Sequence, residues 1–162
     1  RLLEAGTAPA AGEELLPADL DARGFVHRLV DVRARGKRAV FPELPSGARD
    51  WLQANAEALA DVVPASPASD GRWRFTRRGN TVYALLLRME DELFLPATLT
   101  IPTAKFQPRP GSAPRILGRT HGVTGITRDF IKGQLVCELP PDLALRACRE
   151  PALVLAIELD LR

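Results

Sequence analysis

"GRWRFTRRGNTVYALLL", residues 71–87, places two apolar runs on either side of the basic break Arg77-Arg78-Gly79-Asn80. Gly79 and Asn80 tolerate the positive φ that a tight turn requires, so the stretch predicts a β-hairpin. Downstream the period of two persists. "ELFLPATLTI" (92–101), "GITRDFI" (125–131), "GQLVCELP" (133–140) and "ALVLAIELDL" (152–161) are strand-like runs, broken by "QPRPGSAP", by Lys132-Gly133 and by Pro140-Pro141. In the last run Leu153, Leu155, Ile157 and Leu159 alternate with Val154, Ala156 and Glu158, which makes one side strongly apolar. Five or six short strands separated by turn signals predict an antiparallel β-sandwich.

Upstream of residue 64 the period is helical. In "DLDARGFVHRLVDVRARG" (19–36) Phe25, Leu29 and Val32, with Val26 and Val30, follow two aspartates able to cap a helix that Gly36 ends. A short apolar piece, "AVFPELP", leads to a second predicted helix from Ala48 to Asp61, with Leu52, Ala56, Leu59 and Val63 on one stripe. "PASPASDG" (64–71) then reads as a linker between two differently built parts. The expected class is α+β: two helices, then an antiparallel sandwich, with residues 1–64 and 65–162 as the two parts.

The bulk numbers bound the function. At 162 residues the chain can hold one ordinary domain, or one domain plus a piece of another. With 22 Lys+Arg against 20 Asp+Glu the net charge is +2, and the basic residues are scattered, which calls for neither nucleic acid nor an anionic membrane as partner. The apolar runs "VYALLL" and "ALVLAI" are too short to cross a bilayer. The chain opens on Arg1 without a signal-peptide pattern and its sole methionine is Met89, which reads as an internal or processed piece. Cys137 and Cys148 have no Cys-x-x-Cys spacing and read as buried thiols, neither a disulfide scaffold nor a zinc site.

Four features bear on chemistry. His121 sits in "GRTHGVTG", which lacks the glycine spacing and Lys-Ser/Thr pair of a phosphate loop, and no neighbour is offered to orient an imidazole base. Glu90, Asp91 and Glu92 read as a solvated turn, because adjacent carboxylates alternate faces in an extended chain. Trp73 and Tyr83 read as a cross-strand aromatic pair filling the core, the alternative being a platform for a sugar ring. No motif assigns a catalytic residue, a cofactor or a metal.

"FTRRGNTVYALLL" (75–87) resembles the start of the C-terminal β-sandwich of the α-L-fucosidases, retaining glycoside hydrolases. "DWLQANAEALADVVPASP" (50–67) resembles the helix that leads out of their catalytic barrel, with Trp51, Leu52, Asn55, Glu57, Ala58 and Pro64 at matching positions. "FVHRLVDVRARG" resembles the helix before the final barrel strand, and "RILG", "GQLVCELP" and "ALVLAIEL" resemble the closing sandwich strands. The chain departs from the pattern after that helix. The family has Gly-Gly-Asn and an aliphatic strand ending in Asn-x-Gly-Pro, where this chain has Gly36-Lys37-Arg38-Ala39-Val40-Phe41-Pro42.

The resemblance implies that residues 1–64 end a catalytic (β/α) barrel and 65–162 form the C-terminal sandwich. It implies a parent that hydrolyses α-L-fucosides, with a fucosylated glycan as substrate, the barrel of the same protein as partner, no cofactor, and a secreted, periplasmic or lysosomal setting. Both catalytic carboxylates of the family lie upstream of the matched motifs, so this chain alone is expected to be inactive. Glu57, although at a family position, lies on the exit helix. Two other readings stand beside this one: a non-catalytic carbohydrate-binding or docking sandwich, and an inactive relative of the fucosidases.

Overall fold

The computed structural model describes residues 9–103, 105–119, 124–129, 132–141 and 149–160. It opens with a strand that the sequence reading lacks, β1 (Glu13–Leu15). Helix α1 (Ala22–Ala34) follows, and then β2 (Arg38–Val40), which lies parallel to β1 with Leu15 opposite Val40. A parallel pair needs a crossover between its strands, and α1 supplies it. Asp21 caps α1 by accepting from the amide of Gly24 at 2.7 Å. Gly36 closes the helix at φ +76°, where a Cβ would come within 2.8 Å of the Pro64 ring, so both its conformation and its lack of a side chain are required.

The second helix, α2 (Ala48–Asn55), is shorter than its sequence period suggested, and Ala56–Ala58 tightens into a 3₁₀ turn. Its buried face is also rotated from the expected stripe. Trp51, Asn55 and Ala58 are buried, whereas Leu52 and Leu59 are half-buried and Val63 is 57% exposed. The physical reason is the indole of Trp51, whose Nε1 donates to the carbonyl of Ala152 at 2.8 Å and turns that face inward.

"PASPASDG" is not a linker. It lies almost wholly within β3 (Val63–Asp70), which pairs antiparallel with β4 (Trp73–Arg78) across an irregularity between Pro64 and Ser69. Prolines are tolerated there because β3 is the edge strand of its sheet. The hairpin from β4 to β5 (Thr81–Leu87) forms as read, with Arg78 opposite Thr81 and Gly79 at φ +56° in a two-residue loop. β6 (Thr98–Pro102), β7 (Arg115–Ile116), β8 (Thr124–Asp129), β9 (Gln134–Glu138) and β10 (Ala152–Glu158) complete the set. They form a five-stranded sheet in the order β3-β4-β5-β10-β7 and a three-stranded sheet in the order β6-β9-β8, every pair antiparallel.

The expected sandwich is therefore present, with one addition. Phe75, Val82, Ala84, Leu153, Leu155 and Ile157 of the large sheet meet Leu99, Ile101, Leu135 and Cys137 of the small one in a single buried cluster. Burial pushes the Cys137 thiol up to about 11, so it stays protonated and inert; Cys148 and His121 lie outside the described residues. The opposite face of the large sheet is buried too. Tyr83, Leu85, Leu87, Val154 and Ala156 pack against Phe25, Val26, Leu29 and Val30 of α1 and against Trp51. The layers run helices, five strands, three strands. Among the described residues no helix is long and apolar enough to cross a membrane.

Trp73 and Tyr83 are both buried but do not pair. The register sets Trp73 opposite Leu86 and Tyr83 opposite Thr76, which puts the indole in the sandwich core and the phenol among the helices. Trp73 stacks instead on Phe75, with centroids 6.4 Å apart. Neither ring is available as a sugar platform.

No atom lies within 4 Å of the point where a Cβ on Gly79 would stand, so a side chain there meets only backbone strain. Gly79→Val is expected to lower the unfolding free energy by about 1 kcal/mol or more. Urea melts measure this, and an unchanged midpoint would contradict the turn assignment.

Candidate functional site

In a βα unit the strand's C-terminal end and the following helix's N-terminus share one end of the molecule. At that end lie Asp21, Ala22 and Arg23 after β1 and Gly47 after β2, and the sandwich adds Arg88 past β5 and Pro151 before β10. Two adjoining cavities open there, sharing Gly47, Arg149 and Pro151. One, of about 340 Å³, is bordered by Asp50, Trp51 and Asn55 and carries the Arg119–Glu150 ion pair on its wall. The other, of about 430 Å³, is lined by Asp21, Arg23, Arg88 and Arg149. A third cavity, of about 310 Å³, lies between α1, β2 and α2, where Leu52, Ala56 and Leu59 face Leu29, Ala39 and Phe41. The residues expected to form the buried stripe of α2 thus line a groove.

The acidic turn divides. Glu92 is largely buried and bidentate with Arg72, at 3.0 and 2.6 Å, and its carbonyl accepts two bonds from Arg88. Glu90 is 88% exposed and meets Arg23 at 3.1 Å. Glu92 is a structural tie, and the expectation of a solvated turn holds for Glu90 alone of these two. Among the described residues no group of three or more His, Cys, Asp or Glu is placed to hold a metal ion.

Glu57 sits at the other end of the molecule, on the 3₁₀ turn. Its Oε1 accepts from Tyr83 Oη at 2.9 Å and Arg115 Nη2 at 2.8 Å, with Arg78 Nη2 at 3.7 Å. The Arg115 hydrogen bond holds its carboxyl below the usual carboxylate range against the opposing effect of burial, with Tyr83 adding to the lowering. A general acid needs the reverse shift, so this carboxylate is a poor proton donor and acts as a tie between the turn, β4, β5 and β7. Arg115 carried no signal in the sequence, since only the folded sheet brings β7 beside the turn. Because the folded form has the lower pKa, the stability from this cluster is present above the unfolded value of about 4.3 and is lost as pH falls through the folded one. Glu57→Gln is expected to flatten the acid limb of a thermal-stability profile while leaving the fold intact. A profile indistinguishable from that of the parent chain would contradict the cluster.

No protein-family model matches the sequence, and no curated protein matches it. Solved structures do match. α-L-Fucosidase isoenzyme 1 from Paenibacillus thiaminolyticus superposes with a TM-score of 0.63 at 16% identity, over 87% of this chain and 35% of that one. The Thermotoga maritima α-fucosidase in complex with fucose gives 0.63 at 18%, over 85% and 34%. The α-L-fucosidase from Vibrio sp. strain EJY3 gives 0.59 at 16%, over 87% and 26%. At such identities the likeness is one of fold. The chain spans about a third or less of the length of each, and it has the fold of that portion of an α-L-fucosidase.

Proposed function

We propose that this chain is the C-terminal region of an α-L-fucosidase-like glycoside hydrolase, whose sandwich supports the catalytic barrel. Residues 1–64 then carry the end of the barrel and the remainder the sandwich. The observation that carries the reading is the unit β1-α1-β2-α2 seated on the large sheet. Two parallel strands joined by a helix and followed by another are two successive βα repeats, and such strands otherwise occur in sheets covered on both faces. The departure at Gly36 to Pro42 does not remove the strand, because Arg38–Val40 still pairs with β1. The groove lined by Leu52, Ala56 and Leu59 beside β2 supplies apolar surface for a further repeat.

A retaining glycosidase needs two carboxyl groups about 5 Å apart, one as nucleophile and one as acid/base. Here Glu14, Glu57 and Glu92 are committed to arginines and a lysine. The role of this chain is mechanical: it fixes the last repeats against a sheet that cannot slide.

The test is an assay with an aryl α-L-fucoside on the 162-residue chain and on a longer polypeptide that restores the upstream repeats. The isolated chain is expected to show no turnover, and the longer one to show turnover that Glu57→Gln leaves within about twofold. Turnover by the isolated chain, abolished by Glu57→Gln, would overturn the reading. A folded but silent longer polypeptide would favour an inactive relative instead.

A further inference from the structure

We infer that the cavity of about 430 Å³ at the start of α1 and α2 is a binding site for an oxyanion, a carboxylate or a sulfate ester carried on a sugar. Among the described residues three arginines, Arg23, Arg88 and Arg149, line it with one acidic residue, Asp21. Among the described residues the excess has few counter-charges, and Glu150 beside Arg149 is held by Arg119. Arg88 spends Nε and Nη2 on the carbonyl of Glu92, at 3.1 and 2.7 Å, which fixes its head group without neutralising it. Arg23 meets Glu90, whose side chain is 88% exposed, and a pair so solvated compensates little. Arg149 is exposed and takes part in no hydrogen bond or ion pair among the described residues. One oxygen of Asp21 is already taken by the amide of Gly24.

Arginine forks match planar and tetrahedral oxyanions alike, with two parallel donors per head group. The cavity lies at the end of the βα repeats where strands finish and helices begin, the end at which (β/α) barrels carry their sites. That the anion is attached to a sugar rests on the reading under Proposed function. The anion site itself does not.

The isolated chain is titrated by NMR or calorimetry with sodium sulfate, with sodium glucuronate and with neutral fucose, at constant ionic strength made up with chloride. Saturable millimolar binding of sulfate, of glucuronate or of both is expected, with the stronger arm naming the anion. Arg149→Ala should weaken that binding about tenfold or more, and Arg149→Lys less. Arg77→Ala, on the hairpin at the far end of the sheet, should leave it unchanged. Non-saturating shifts, equal binding in Arg149→Ala, or an equal loss in Arg77→Ala would each overturn the site. Such a failure leaves the fucosidase reading untouched, since that reading is tested by turnover of the longer polypeptide.

Discussion

The pairing of β5 with β10 is the constraint on which the other elements depend. Seven consecutive residue pairs run from Leu87 opposite Ala152 to Thr81 opposite Glu158, in the middle of the large sheet. Side chains alternate faces along both strands, and both faces are covered, by the small sheet on one side and by α1 and Trp51 on the other. A slip of one residue would exchange the two cores, sending Leu153, Leu155 and Ile157 to the helices and Val154 and Ala156 into the sandwich. On β10 the smaller set faces the helices, and on β5 the larger one, Tyr83, Leu85 and Leu87, does so.

From this pair the helices are fixed by hydrogen bonds to adjacent carbonyls. His27 Nε2 donates to Pro151 at 2.8 Å and Trp51 Nε1 to Ala152 at the same distance, so each helix has one anchor where β10 begins. Across the molecule Arg33 Nε reaches the carbonyl of Leu59 at 2.8 Å, and Thr76 Oγ1 that of Ala58 at 2.8 Å. Asp31 on α1 is bonded to Arg74 on β4. These bonds tie both helices to the large sheet, and the arginine-lined cavity takes its walls from both the βα unit and the sandwich.

Much of this was legible. The hairpin, the capped first helix and most sandwich strands follow from period and turn chemistry, and the fucosidase resemblance agrees with the fold that the solved structures share. The double burial was also written in the sequence: "VYALLL" and "ALVLAI" are continuous apolar runs, the mark of strands covered on both faces, where alternation is the mark of one. Counting through the two-residue turn shows that Trp73 and Tyr83 fall on opposite faces, since residue 76 faces 83 and residue 73 is an odd number away. Other features had no local signal. β1 is three residues, Glu-Glu-Leu, too few for a period, and exists because β2 lies beside it. Its Glu14 is nearly enclosed by Arg28, Arg35 and Lys37, a cluster drawn from the helix and the turn after it. The edge strand β3 was hidden by its prolines, and the partners of Glu57 by their distance in sequence.

If the β5–β10 pair organises the molecule, the βα unit before residue 63 and the sandwich after it open as one cooperative body. Native-state hydrogen exchange at increasing low denaturant tests it directly. Amides of Leu29 and Val30 in α1 and of Leu85 and Leu155 in the sheet are predicted to converge on one opening free energy with the same denaturant dependence. Exchange of the α1 amides through a separate, lower-energy opening that leaves the sheet protected would contradict the account.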